Sequence, residues 1–498
     1  LLVRVAVAPW RCLQTCLHCK GVACVKRAQK SGDIPFYNAM HLVVLAAVAS
    51  AVLLSSVLVS LTVHHAQPVP YMDEIFHVPQ AQNYCAYNVS HWDPMITTPP
   101  GLYLTSVLLL LPFRLVTNAE VCTLFALRCC NIVLTLGNFY VSSLIAIKLA
   151  GAAGNKVRAK LVLSSAAMSL LPVLHFFTFL YYTDPGSVLF VLLMYLYSLF
   201  DRHYIAACFG AVAVLYRQTS VVWVFMVATC RALEIAEGVF TASDNKPEGL
   251  TCAVAAITSA PMKQGRLIAH IARIVLSECA GYVVVGLSFV AFVLANGGIV
   301  LGDKSSHQAC AHLPQLGYFA LFTLVHAAPY LLQPGIVKRF FESVRRRPFL
   351  YAAVTLACLL AVQNFTHVHP YLLADNRHFP FYLWRRLLGR NELVRCCLVP
   401  LYIYAGYAMS HQLRHKEPWW QLLFFVCVVA STVPQKLLEF RYFVVPYLYF
   451  RLQLKDVKYW QVLAELVANI AVNVAVLWLF LNRTFTWTGE PAVQRFMW

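Results

Sequence analysis

The sequence predicts an all-α polytopic membrane protein, and three observations carry that reading. Hydrophobic residues make up 60% of the 498-residue chain and charged residues only 12%, about half the charged share of an ordinary soluble domain. Apolar runs long enough for membrane helices recur from His41 to Leu481. Mean hydropathy is +0.65. The sustained ~10-residue alternation of a membrane β-barrel is missing.

The formal charge of +18 does not imply a nucleic-acid partner. Basic residues cluster between apolar runs, as in Lys156-Val157-Arg158-Ala159-Lys160 and Arg345-Arg346-Arg347. The positive-inside rule produces that pattern. Cysteines inside apolar runs, such as Cys129-Cys130 and Cys396-Cys397, read as small buried hydrophobes. Cys12, Cys16, Cys19 and Cys24 are crowded. Their spacing fits no zinc pattern, and no His pair follows.

Residues 1–40 read as a cytosolic extension with little order of its own. Arg4, Arg11, Lys20, Lys26, Arg27 and Lys30 outweigh Asp33 there. His41–Val63 is the first span, too long for a cleavable signal core and better read as a signal anchor. Segment 64–118 then lies on the far side of the membrane. It is polar, aromatic and proline-rich, and short interfacial helices are expected in it. Gly101–Val116 is apolar but about 24 Å long as a helix, and Pro112 interrupts it. An interfacial or re-entrant path there lets the span near 120–149 return Lys156–Lys160 to the cytosol. Residues 41–235 form an N-terminal transmembrane module and 236–266 a cytosolic loop. Residues 267–498 form a C-terminal module. The sequons at Asn88, Asn364 and Asn482 all fall on the far side of this map, where glycan acceptors belong. No internal repeat of the transporter kind is visible.

On this map the far side gathers Asp73, Glu74, His77, Asp184, Asp303, His307, Asp375, Arg377 and His378. A carboxylate beside apolar walls is biased toward its neutral form, which suits a general base at neutral pH. Asp73 also stands where a helix cap would stand, before Ile75-Phe76. Arg217 interrupts an apolar stretch in Tyr216-Arg217-Gln218-Thr219. A guanidinium at membrane depth marks a function or a buried partner, and phosphate binding is one such function. The plainer alternative is snorkelling to the interface. Lys436 and Glu439 are three apart, so a helical ion pair is expected; phosphate binding by Lys436 or Arg441 is the alternative. Trp92-Asp93 and Phe379–Trp384 read as interfacial anchors or as sugar-stacking surfaces. No Asp-x-Asp metal motif, P-loop, dinucleotide fingerprint, Gly-x-Ser-x-Gly or His-Glu-x-x-His occurs in the far-side loops.

Several ordered segments resemble the α-1,2-glucosyltransferase family of the endoplasmic reticulum, whose members add the last glucose to the lipid-linked oligosaccharide for N-glycosylation. They include Pro70–Gln82 with Asp73-Glu74, His77 and Gln80, Trp92–Thr98 with Trp92-Asp93, and Tyr216–Thr219 with Arg217-Gln218. Gly302–His307, Leu372–His378, Pro434–Tyr442 and Arg495–Trp498 continue the match. Thr183-Asp184-Pro185-Gly186 stands where that family has Thr-Glu-Ala-Gly.

The resemblance implies a GT-C fold with roughly 12–14 transmembrane helices and a lumenal active site in the endoplasmic reticulum membrane. It implies dolichyl phosphate β-glucose as donor and a diglucosylated oligosaccharide on dolichyl diphosphate as acceptor. The linkage formed is α, so the transfer inverts the anomeric carbon. Asp73 is the expected base, with Glu74 its backup or an acceptor-orienting group. Arg217, Arg377, His378, Lys436 and Arg441 are the candidates for the leaving phosphate. His77, Gln80, Trp92, Asp93, Asp184, Gln218, Asp303, His307, Asp375 and Glu439 complete the substrate-binding set. No cofactor or metal is expected. The rival class is a polytopic transporter or channel whose lumenal acids line a pathway.

Overall fold

The computed structural model describes residues 39–117, 120–151, 154–242, 263–304 and 308–498. The crowded N-terminal cysteines, most of the 236–266 loop and His307 lie outside the described residues. The protein is an all-α polytopic membrane protein. Among the described residues, six helices are long and apolar enough to cross a membrane: Leu42–Ala66, Leu124–Ala150, Gln218–Val239, Ala269–Asn296, Glu392–Gln412 and Tyr459–Asn482. Shorter apolar helices lie between them, among them Asp184–Ser198, His203–Tyr216, Pro348–Asn364 and Pro418–Thr432.

The first long helix turns Leu54, Leu58 and Leu61 outward. Such an apolar face suits lipid, which offers no hydrogen bonds. Asp184–Ser198 is the opposite case, buried along most of its length. Its close approach to His203–Tyr216 requires Gly186, since a Cβ there would lie 2.1 Å from the Tyr216 ring.

Two long helices carry polar residues at helical spacing. On Leu124–Ala150, Asn131 donates to the carbonyls of Leu180 and Tyr182 at 2.7 and 3.1 Å. Thr135 meets Thr178 at 2.9 Å, and Asn138 donates to the Pro185 carbonyl. On Tyr459–Asn482 the polar positions are Gln461, Glu465, Asn469 and Asn473. Asn469 and Asn473 donate to the carbonyls of Ala167 and Leu170. Glu465 pairs with buried Arg451 at 2.7 Å. Buried polar side chains of this kind fix which helices meet and in what register.

Helix ends sort into two groups. Lys156 and Lys160 sit with the start of the last long helix, through Tyr459 Oη to the Lys156 carbonyl and Lys160 Nζ to the Val457 carbonyl. The opposite end holds Ala66, Asp184, Tyr216, Thr432 and Asn482. Helix Gly101–Thr117 begins and finishes on that second end. Gly101 abuts Leu215 and Tyr216, while Arg114 donates to the Cys85 carbonyl. Just beyond it, Cys122 is disulfide-bonded to Cys85. The cysteines of the apolar runs are free thiols as expected, though only Cys130 of Cys129-Cys130 and neither of Cys396-Cys397 is buried.

Two features differ from the sequence reading. Pro434 ends helix Pro418–Thr432, so 434–439 is not helical and Lys436 does not pair with Glu439; Arg441 does. The second is an antiparallel hairpin, Thr484–Trp487 with Glu490–Arg495, which follows the last long helix. Gly489, at φ +90°, makes its turn.

Candidate active site

Eight segments converge on a cavity of about 590 Å³ at the second end of the bundle. They are 72–77, 95–98, Thr183, 217–219, 299–303, 371–380, 435–442 and Trp487. Loop closes on loop at Gly302, whose left-handed backbone lies against Pro94 and Ile96. Leu301 N–H donates to the Thr97 carbonyl and Asp303 N–H to the Pro94 carbonyl. Gln218 Nε2 donates to the same Thr97 carbonyl at 2.8 Å.

Asp73 and Glu74 take different paths from adjacent positions. Met72, at φ 58°, turns the backbone just before them. Asp73 stands at the start of helix Glu74–Cys85 but makes no side-chain cap bond. Its side chain is 47% exposed and lines the cavity, with one oxygen 3.9 Å from Arg441. Its amide donates to Tyr182 Oη. Glu74 has no exposed surface. It accepts from Arg128 Nε and Nη2 at 2.8 and 2.6 Å. It also accepts from the amides of Tyr71 and Tyr181 at 3.0 and 2.6 Å. Four bonds use both oxygens, and Glu74 is not part of the cavity wall.

Beneath the cavity, Asp184 sits between two guanidiniums. One oxygen lies 3.0 Å from Arg217 and the other 3.5 Å from Arg441. Arg441 also pairs with Glu439 and packs over the rings of Phe177 and Tyr182 at 5.0 and 5.4 Å. Burial works against its charged form, yet Glu439, Asp184 and Asp73 together raise its pKa well above the usual value. Arg217 lies over Tyr442 at 6.0 Å. Two cations held by fixed acids, beside one exposed carboxylate, can stabilise an oxyanion while a proton is removed nearby.

The remaining candidates divide clearly. His77, Gln218, Asp303, Asp375, Arg377, His378 and Glu439 line the cavity. His77 Nδ1 meets Tyr103 Oη at 2.6 Å, and burial lowers its pKa against the pull of Asp73. Arg377 grips both oxygens of Asp375 at 2.9 and 2.7 Å. Burial works to raise the Asp375 carboxyl, but Arg377 and His378 hold it below its ordinary value. Gln80, Trp92, Asp93 and Lys436 stand outside the cavity wall. Gln80 bonds the His91 carbonyl and the Asp93 amide, and Asp93 accepts from the Met95 amide. These two shape the 91–95 loop. Trp92 packs edge-on against Tyr103, and Lys436 offers its carbonyl to His312. Asn88, Asn364 and Asn482 are exposed, each at or beyond a helix end on the cavity side.

Sequence reasoning missed Arg128, Tyr182 and Trp487. Arg128 carried the same signal as Arg217, a lone arginine in an apolar run. Tyr182 and Trp487 gave none, since aromatic residues are common throughout the chain.

The profile of the DIE2/ALG10 family matches residues 67–452. A Mus musculus protein described as Dol-P-Glc:Glc(2)Man(9)GlcNAc(2)-PP-Dol alpha-1,2-glucosyltransferase is 42% identical over 449 residues, covering 86% of this chain and 93% of that protein. A Homo sapiens protein of the same description is 40% identical over 447 residues, with the same coverage. An Arabidopsis thaliana one is 35% identical over 516 residues, covering 91% of this chain and 99% of that protein. No solved structure matches the chain.

Proposed function

This chain belongs to the DIE2/ALG10 family, and from that premise we propose how its cavity transfers glucose. The protein is a dolichyl-phosphate-glucose-dependent α-1,2-glucosyltransferase. Its acceptor is the diglucosylated oligosaccharide on dolichyl diphosphate, and its reaction is a single displacement. Asp73 removes the proton from the 2-hydroxyl of the acceptor's terminal glucose. That oxygen attacks C1 of the donor glucose from the face opposite the phosphate. The C1–O bond to phosphate breaks, and dolichyl phosphate leaves with the electron pair. Inversion of the β donor gives the α linkage.

Arg217 and Arg441 stabilise the departing phosphate. Asp184 and Glu439 hold the two guanidiniums in place before substrate arrives, so little reorganisation is needed during the reaction. Glu74 is a positioning residue: bound to Arg128 and to the Tyr181 amide, it fixes the loop whose Tyr182 hydroxyl receives the Asp73 amide. The observation that carries this reading is the contrast between exposed Asp73 and buried Glu74, with Arg441 next to the former.

The cavity faces the lumen of the endoplasmic reticulum in this reading. The basic Lys156–Lys160 end is then cytosolic. The Cys85–Cys122 bond on the cavity side favours an oxidising compartment. The three exposed sequons are on that side too.

The test is in vitro transfer from dolichyl phosphate glucose to the diglucosylated acceptor by wild type and Asp73→Asn, with and without chelator. Wild type should transfer at equal rates in both conditions, and Asp73→Asn should not. A wild type inactive on verified substrates would refute the function; activity lost to chelator and restored by Mg²⁺ or Mn²⁺ would refute the metal-free step.

A further inference from the structure

The hairpin after the last long helix brings one aromatic side chain to the cavity that the proposed step does not use. Trp487 closes the first strand, paired with Glu490 across the turn. It is half-buried, and it lines the cavity. Two contacts fix its orientation. Its Nε1–H donates to Asn376 Oδ1 at 2.8 Å. The Arg377 guanidinium lies 4.6 Å from its ring centroid. Arg377 is itself held by Asp375 and by Gln494 of the second strand, at 2.7 and 3.0 Å.

The indole therefore has its only hydrogen-bond donor satisfied and its plane set before any ligand arrives. An aromatic face preset in a cavity lined by both charged and apolar side chains recognises an apolar surface, not another hydrogen-bonding group. The C–H face of a pyranose is such a surface, and the ligands of this site are sugars.

Position decides which sugar. Asp184 opens its helix and Arg217 follows the end of another, so the phosphate-binding groups lie at the cavity floor by the helix ends. Trp487 stands at the turn end of the hairpin, whose other end is tied to the helix ends through Arg495 and the Phe480 and Ala66 carbonyls, which places it away from that floor. The donor glucose is joined directly to the lipid phosphate and must sit at the floor. The acceptor approaches from water, with its terminal glucose innermost and its preceding sugars outward.

We propose that Trp487 is a specificity-determining residue whose ring stacks on a glucose of the incoming oligosaccharide, at or just behind the reacting terminal unit. This rests on the glucosyl-transfer reading above.

The experiment measures initial rates of the full chain in detergent, varying acceptor at saturating donor and then donor at saturating acceptor. The variants are Trp487→Phe, Trp487→Leu and Trp487→Ala. Leu keeps apolar volume without a π face, so it stands in if Trp487→Ala fails to fold. Trp487→Leu and Trp487→Ala should raise the acceptor KM roughly tenfold, on the scale of one lost aromatic contact. Their donor KM should stay within about twofold of wild type. Trp487→Phe should stay within about threefold on both. An unchanged acceptor KM in a folded Trp487→Leu would overturn the inference. So would a donor KM that rises instead, which would put the ring on the donor sugar. Failure of wild type to transfer at all would count against the parent reading, a different result from either.

Discussion

Glu74 and Arg128, 54 residues apart, form a two-point ion pair with no exposed side-chain surface on either partner. Its neighbour Asp73 shares none of those bonds. The adjacent acids therefore separate into one locked in the scaffold and one that lines the cavity.

The two carboxylates should fail differently. Asp73→Asn should lower kcat by about 10²–10⁴, the usual span for a lost general base, with a melting temperature close to wild type. Glu74→Ala should leave Arg128 buried and unpaired, costing about 3–5 kcal/mol of stability. Thermal unfolding in detergent alongside transfer rates separates them. A Glu74→Ala protein as stable as wild type but catalytically dead would reverse the roles.

Arg441 and Arg217 should resist conservative exchange. Lysine keeps the charge but loses the planar fork that meets Asp184, Glu439 and an incoming phosphate at once. Arg441→Lys should cost about 10²-fold in kcat, in the range of a lost oxyanion donor. The same variant should weaken binding of free dolichyl phosphate as a product inhibitor. An inhibition constant equal to wild type would count against phosphate contact.

Gly302 should not accept alanine. A Cβ there would lie 2.2 Å from the Pro94 carbonyl oxygen, and the backbone is left-handed at φ +59°. The left-handed strain alone is about 1–2 kcal/mol. Gly302→Ala should separate loops 94–97 and 299–303 and depress both stability and transfer. Wild-type stability and rate in that variant would show that the loops do not need their close contact.

Acid should destabilise the protein partly through His77. Burial lowers its folded-state pKa from 6.5, while Asp73, Asp184 and Asp93 pull it up and Arg441 pulls it down. The unfolded ring binds a proton near pH 6.5. The stability gained from a neutral buried ring is therefore complete above that pH and is lost as pH falls below it. His77→Gln should be less stable than wild type at pH 8 but should lose less between pH 7 and pH 5. Parallel melting curves for the two proteins would exclude His77 from the acid response.

The Cys85–Cys122 bond should be present in protein made with its cavity side in the lumen. Reduction before alkylation should add two labels that are absent without it. Cys85→Ser opens a 37-residue separation and should cost about 2–4 kcal/mol. Alkylation of both thiols without reduction would place that side in a reducing compartment.

The sequence made the membrane class and most of the site legible because both depend on charge in apolar surroundings. Asp184, Arg217 and Arg441 stand out in apolar or aromatic stretches, and the fold brings all three within one ion-pair network. Glu74 reads from sequence as a backup base or an acceptor-orienting group because adjacency along the chain says nothing about direction. The turn at Met72 and the remote Arg128 decide it, and neither is visible locally. Lys436 misled for a related reason: three-residue spacing implies a shared helix face only where a helix exists, and Pro434 removes it. The hairpin was missed because one strand is four residues long, too short for alternation to register. Trp487 was hidden with it.

Tyr71 Oη donates to the Arg495 carbonyl and receives its amide across 424 residues. The Arg495 guanidinium reaches Gln67 and the Ala66 carbonyl. During synthesis, the segment bearing Asp73 emerges early and waits for residues 484–498 before its surroundings are finished. Closing so long a loop is slow and entropically uphill. A chain that has not reached residue 484 holds Asp73, Arg217 and Arg441 but lacks Trp487. On the reading proposed above, chain order places the ring that meets the acceptor later in synthesis than Asp73, Arg217 and Arg441, so the acceptor wall is completed after the donor machinery is already inserted in the membrane.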